Sequence, residues 1–225
     1  MAVTDEAILK IKNMIIDGRL RPGDRLPPEK ELSESLGLSR SSLREAVKAL
    51  EIIRVLDVRR GDGTFVTSLE PALLLEAMSF VVDLHEDASV LELFAVRRIL
   101  EPAAAAMATG RASADDIARI SGLVDAVAKD AAIEAFVEHD LEFHHAIAEL
   151  AGNGYLMGLL DGLSSGTQRA RVWRGLTQEH VVERSLGEHR AIVAAMGAGD
   201  VELVRARVAV HVAGVEDWLR QAASA

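Results

Sequence analysis

The chain has 225 residues, a formal net charge of −10, 49% apolar and 27% charged side chains, and no cysteine. Such a composition excludes a disordered or collagen-like chain, and the missing cysteines exclude disulfide scaffolds, thiolate metal sites and cysteine nucleophiles. Aromatic residues make up only 4%, so a core of Ala, Leu, Val and Ile favours helices over a β-sandwich, and the length suits two compact units. The most apolar segment, residues 73–84, is interrupted by Glu76 and Asp83, and the N-terminus carries Asp5 and Glu6 where an export signal needs positive charge. A cytoplasmic protein with no membrane partner is expected.

Charge is divided unevenly. Residues 1–68 hold 12 Lys/Arg and 11 Asp/Glu, a balance of +1, whereas the remainder holds 13 and 24, a balance of −11. A polyanion is repelled by the second part and must approach the first. The Gly-rich run Gly61-Asp62-Gly63-Thr64 precedes the division and Ala/Leu-rich helical patterns follow it, which predicts domains at 1–68 and 69–225.

In chain order, Ile8, Ile11 and Ile15 recur at helical spacing and predict a helix over 3–17. A second, short helix is expected after Leu26-Pro27, with proline at its first position, Glu29 and Glu31 in its first turn and Gly37 as its stop. Ser39 can cap a third helix whose apolar face is Leu43, Ala46, Val47 and Leu50 and whose other faces carry Arg40, Ser41, Arg44 and Lys48. Residues 55–58 and 64–66 read as strands joined by the basic tip 59–63. Three helices and a basic hairpin make a winged helix-turn-helix. Arg40, Ser41, Ser42 and Arg44 provide short polar and forked cationic groups near a helix N-terminus, the set that the major groove of duplex DNA accepts. A solvated face of an ordinary three-helix domain is the competing reading.

Two runs, Gly18 to Leu32 and Leu36 to Ala46, together with the ending Arg60-Gly61-Asp62-Gly63-Thr64-Phe65-Val66, resemble the DNA-binding domain of GntR-family bacterial transcription regulators. The resemblance implies that Lys30, Ser39, Arg40, Ser41, Ser42, Arg44, Arg60 and Gly61 touch operator DNA. One position departs: Arg54 stands where the family usually has the glycine that ends the recognition helix. Arginine in a left-handed cap costs about 1 kcal/mol, so a differently built helix-to-wing junction is expected.

From Pro71 onward, six or seven helical patterns without strand alternation predict an all-α bundle, including 90–109, 113–129, 133–150 and 201–222. Asp140 and His144 are four apart on one helix and share a face, so carboxylate and imidazole can hold one ion together. His189 and His211 lie on later helices among apolar residues. Buried histidines need partners, and hydrogen-bonded core histidines compete with a ligand set.

The string Asp140 to His144, the segment Gly152 to Leu156, the pair Glu188-His189 and His211 resemble the effector-binding (FCD) domain of FadR-type GntR regulators, in many of which one Asp and three His bind a divalent metal. That resemblance implies Asp140, His144, His189 and His211 as ligands of a divalent ion, zinc first, with nickel, manganese or iron as alternatives. His85, His139, His145 and His180 match no ligand position. Arg97 occupies a slot in the apolar stripe Val90, Leu93, Phe94, Leu100 and Ala104, with Arg98 off it. An inward arginine must be paired, either with Glu101 at i+4 or with a bound acid. The resulting expectation is a ligand-responsive transcription regulator of the repressor type. It binds a pseudo-palindromic operator as a homodimer and senses a small organic acid at the metal. The competing class is a metal-dependent hydrolase or lyase acting on a small carboxylate.

Overall fold

The computed structural model describes residues 3–70, 73, 88–128 and 131–223. The chain divides into two compact units, Met1–Ala77 and Met78–Ala225. Most of the apolar segment 73–84, and His85, lie outside the described residues.

The first unit is a winged helix-turn-helix. Helix α1 (Val3–Ile16), α2 (Glu29–Leu36) and α3 (Arg40–Ile52) precede strands β1 (Leu56–Arg59) and β2 (Gly63–Val66). Ala7, Ile11, Leu32, Leu43, Ala46 and Leu50 bury against Leu56 and Val66 of the hairpin, and of the periodic positions Ile8, Ile15 and Val47 pack against this core only partly buried. Pro28 is the N-cap of α2 with φ −50° and ψ 141°, and Glu29 is the first helical residue. The proline thus sits one place earlier than expected, its extended ψ turning the chain into the helix. Gly37 takes φ 65°, and two reverse bonds close the end: the Gly37 N–H donates to Glu34 O at 3.2 Å and the Leu38 N–H to Ser33 O at 2.9 Å. This is the Schellman pattern that glycine makes inexpensive.

Ser39 caps α3 through its hydroxyl, which accepts the Ser42 N–H at 3.1 Å. At the other end Arg54 is left-handed, φ 58°. The Arg54 N–H donates to Glu51 O at 3.0 Å and the Val55 N–H to Leu50 O at 2.9 Å, while the Thr67 hydroxyl donates to the Arg54 carbonyl at 2.7 Å. The expected rebuilding of this junction is therefore corrected: the glycine-type geometry is kept, and the surrounding bonds hold arginine in it. The antiparallel hairpin pairs Leu56 with Val66 and Arg59 with Gly63. Arg59 belongs to β1, which leaves a shorter tip, Arg60-Gly61-Asp62, than the five residues read from sequence.

Six helices form the second unit among the described residues: α4 (Ala88–Thr109), α5 (Ala114–Asp125), α6 (Ile133–Leu150), α7 (Gly154–Thr177), α8 (Val181–Gly197) and α9 (Val201–Ala223). Helix α4 packs along α9, α7 and α6, around a core containing Phe94, Phe143, Ile120, Leu186, Ile192 and Val208. A full capping box, Ser113 with Asp116, starts α5. That helix ends at Asp125 rather than at Lys129, because Val127 leaves the helix to bury in the core. No helix among the described residues is long and apolar enough to cross a membrane.

Candidate functional site

In the first unit, the cap of α3 carries a hydroxyl cluster: Ser39 Oγ lies 2.9 Å from Ser41 Oγ and 2.8 Å from Ser42 Oγ. Lys30, Ser39, Arg40, Ser41, Arg44, Arg60 and Gly61 are exposed and Ser42 is half-buried, so all eight predicted contacts belong to α2, the α3 cap and first two turns, or the wing tip. Arg44 does not point freely into solvent. Its Nε donates to the Glu29 carboxylate on α2 at 2.9 Å, and that hydrogen bond raises the guanidinium pKa above its ordinary value. In the wing, the Arg59 guanidinium lies 4.4 Å over the Phe65 ring, and the Arg25 side chain passes so close to Gly63 that a Cβ there would meet its Nε at 2.6 Å. Sequence reading missed Arg25 and Glu29; their signal is that both flank the turn leading into α2.

In the second unit, α6, α8 and α9 bring Asp140, His144, His189 and His211 together, with one ligand atom from each lying within 4.8 Å of all the others. Nε2 of His211 is 3.2 Å from Nε2 of His144 and 3.3 Å from Nε2 of His189. Asp140 Oδ1 is 3.2 Å from His189 Nε2 and 3.7 Å from His144 Nε2. The outer nitrogens are engaged elsewhere: His144 Nδ1 lies 2.9 Å from Glu101 Oε2 and His211 Nδ1 lies 2.7 Å from Glu188 Oε2. A proton on His211 Nδ1, hydrogen-bonded to Glu188, and one on His144 Nδ1, at ion-pair distance from Glu101, would leave the two Nε2 lone pairs facing each other, an arrangement that a cation relieves. Donors about 2.0–2.1 Å from a zinc ion stand roughly 3.3 Å apart in a tetrahedron, so the observed separations fit a divalent metal.

Electrostatics agree with that geometry. Burial pushes the Asp140 carboxyl up, but Arg171, whose Nη1 donates to Oδ2 at 2.5 Å, and the His189 hydrogen bond outweigh it and hold the acid well below its usual range. Burial lowers the His189 pKa despite the Asp140 bond, which keeps the imidazole neutral and able to ligate. Glu101 is likewise held as a carboxylate: burial opposes its charge, and Arg97 and His144 overcome it.

Arg97 makes the predicted ion pair, Nε to Glu101 Oε1 at 2.5 Å, and also donates from Nη1 to Thr167 Oγ1 at 3.0 Å. It nonetheless lines a narrow cleft, open to solvent on one side, together with Asp140, His144, His211, Arg171 and Arg174. The two readings of Arg97 are thus not exclusive. Arg98 lies off the stripe as expected, paired to buried Glu216 at 3.0 Å. Arg171 and Arg174 went unnoticed in the sequence. Burial lowers the Arg171 pKa to about 10, and its Nη2 has no hydrogen-bond partner among the described residues. A signal exists: Ser164, Thr167, Arg171 and Arg174, all buried, recur at spacings of three and four along α7 and form an inward polar stripe where apolar residues are normal. Among the other histidines, His145 pairs with Asp161 at 2.9 Å, His139 stands 3.7 Å from Glu142 and His180 is exposed.

A winged helix-turn-helix followed by a helical bundle in which Asp140, His144, His189 and His211 converge beside an arginine-lined cleft is the make-up of a DNA-binding regulator of transcription. Comparison with known proteins gives the same class. Residues 3–66 match the bacterial regulatory proteins of the gntR family and residues 92–214 match the FCD domain. The chain is 32% identical over 215 residues to the HTH-type transcriptional regulator LutR of Bacillus subtilis, covering 92% of this chain and 96% of that one. It is also 32% identical over 196 residues to the galactonate operon transcriptional repressor of Escherichia coli, covering 84% of each. A solved structure of Streptococcus agalactiae GntR superposes with a TM-score of 0.67 at 25% identity, covering 95% of this chain and 99% of that one. The chain belongs to the GntR family of transcription regulators, with an FCD domain following its DNA-binding domain. The enzyme alternative is set aside on that membership.

Proposed function

We propose that the protein is a cytoplasmic, homodimeric repressor whose residues 1–68 bind a pseudo-palindromic operator and whose residues 69–225 bind a divalent metal and a small organic acid. In this reading Asp140, His144, His189 and His211 hold the metal, zinc before nickel, manganese or iron. A bound acid completes its shell with Arg97 and Arg171 beside it. Lys30, Ser39, Arg40, Ser41, Ser42, Arg44, Arg60 and Gly61 contact DNA through phosphates and base edges. The observation that carries the reading is that four potential ligands converge, and three of them, Asp140, His144 and His211, line a cleft also lined by three buried arginines. In a region of net charge −11, such a cleft is a local exception suited to an anion. A relative named for the galactonate operon supports a hydroxy or sugar acid.

The metal supplies Lewis-acid attraction for carboxylate and hydroxyl oxygens. The chain itself orients the ligands through Glu101 and Glu188, keeps Asp140 ionised through Arg171, and excludes water with Phe94, Phe136 and Val212. A two-fold assembly is supported by exposed apolar side chains on the adjacent helices α4 and α9, Val96, Ile99 and Met107 on one and Leu203 and Val210 on the other. Selection of bound duplexes from a random-sequence pool tests the DNA function. The expected outcome is a bipartite palindrome with affinity falling steeply as salt rises; enrichment of no motif, with salt-independent binding, contradicts it.

A further inference from the structure

The cations of the first unit fall into two groups. Lys10, Arg19, Arg44, Lys48 and Arg59 are each paired with a carboxylate, that of Glu6, Asp17, Glu29, Glu45 and Asp57 in turn. Lys30, Arg40 and Arg60, three of the residues assigned to DNA above, make no ion pair among the described residues, and exposed Arg25 likewise makes none. Arg25 is also held in place. The Leu26 N–H donates to Thr64 O at 2.8 Å and the Val66 N–H to Asp24 O at 2.9 Å, and Arg25 itself bridges to Phe65, so residues 24–26 run as a third strand along β2. Its side chain crosses the bare Cα of Gly63, where a Cβ would lie 2.6 Å from Nε and 3.1 Å from Nη2. Gly63 is thus a seat for the guanidinium, directly beside the tip Arg60-Gly61-Asp62. Two residues after Arg25, Pro27-Pro28 leads into the first turn of α2 and Lys30.

We infer that Arg25 is a phosphate contact, its guanidinium held between the wing tip and the start of α2. A duplex that touches both Arg60 and Lys30 brings its backbone past this position, and a guanidinium fork matches a phosphate in two bonds. The inference rests on the DNA-binding reading above and adds to its eight contacts a residue that lies outside α2, α3 and the wing tip. Arg59, on the facing strand, does not share the role, because Asp57 holds its Nε at 2.8 Å and its guanidinium lies over the Phe65 ring. Arg21 precedes Gly23, which meets β2 at Val66, the end remote from the tip.

Fluorescence anisotropy of the full chain tests this on the selected duplex and on a duplex of unselected sequence, over about 0.05–0.2 M salt, with melting curves confirming that each variant is folded. A phosphate contact carries no sequence information. Arg25→Gln is therefore expected to weaken binding to both duplexes by the same factor, on the order of fivefold or more per protomer at 0.1 M salt, and to make the slope of log K against log salt shallower by about 0.9 per protomer. Arg25→Lys is expected to keep that slope, since it keeps the charge. A wild-type slope in Arg25→Gln, a loss confined to the selected duplex, or a loss as large in Arg25→Lys as in Arg25→Gln overturns the inference and leaves the DNA-binding reading standing; the last would make Arg25 a wing-packing residue. Salt-independent binding by the wild type removes the DNA-binding reading and the inference with it.

Discussion

The Glu101 carboxylate lies 2.9 Å from Nδ1 of His144, on the side of the ring away from the other three ligands. Its charge favours a proton on Nδ1, which leaves Nε2 for a metal, although Oε2 makes no aligned hydrogen bond to the ring. Glu101→Gln is expected to lower zinc affinity by about 10- to 100-fold, read by competition with a chromogenic chelator. The amide keeps a hydrogen-bond acceptor for Arg97, so a folded variant is expected, whereas Glu101→Ala strands a buried guanidinium and is expected to destabilise by about 3–5 kcal/mol. Unchanged zinc affinity in Glu101→Gln removes the orienting role.

In the metal-free protein, stability is expected to fall on acidification in two steps. His189 is held below its ordinary 6.5, so below that pH the unfolded chain takes up a proton that the folded one refuses, and stability declines until the folded pKa is passed. Asp140 is depressed below 3.8, so its contribution is present above that value and is lost as pH falls toward the folded pKa. Denaturant midpoints between pH 8 and pH 3 measure this, and a flat profile contradicts it. Metal loading should steepen the upper limb, since protons compete for the ligands.

How far the site could be read from sequence depended on periodicity. Asp140 and His144 share a helical face at i, i+4, and Arg97 stands out as a charge in an apolar stripe. His189 and His211 sit on separate helices, and nothing local ties them to the first pair; family resemblance alone connected them. Arg171 and Arg174 escaped because α7 carries polar residues on its buried stripe as well as its exposed face, so the usual contrast between faces is missing. In the first unit the apolar rows of α1 and α3 and the start and stop signals of α2 predicted those helices closely. The wing was harder, because a tip of charged and glycine residues does not say whether Arg59 pairs or turns; Gly63 opposite it, crowded by Arg25, settles that.

Arg54→Gly is expected to stabilise the first unit by about 0.5–1 kcal/mol. Glycine takes the left-handed conformation at φ 58° without the cost that arginine bears. Chemical denaturation followed through the first unit's helical signal checks this. A loss of stability would mean that the arginine side chain's own interactions outweigh the backbone strain.

Arg44 is held by Glu29 in the free protein, so binding a guanine edge or phosphate must exchange one partner for another. Arg44→Ala is expected to weaken binding to the selected duplex on the order of tenfold or more, whereas Glu29→Gln is expected to tighten it at low salt. Fluorescence anisotropy at fixed ionic strength distinguishes these, and normal affinity in Arg44→Ala would displace α3 as the recognition helix.

Ile99 is 69% exposed on α4 and Val210 is 68% exposed on α9. Ile99→Asp is expected to shift the chain from dimer to monomer in sedimentation velocity without lowering its helix content, because a charge at a desolvated interface core is expensive. A dimer unaffected by this change places the interface elsewhere.

The most direct test of a metal-held effector lobe that governs DNA binding is the affinity of the zinc-loaded protein for its selected duplex as malate or galactarate is titrated in, wild type beside His144→Ala. The wild type should change its affinity as acid is added, with a coupling of about 1–3 kcal/mol, and His144→Ala should bind the duplex with no response to acid. An equal response in His144→Ala, or no response in the wild type to acids it binds, would contradict the account.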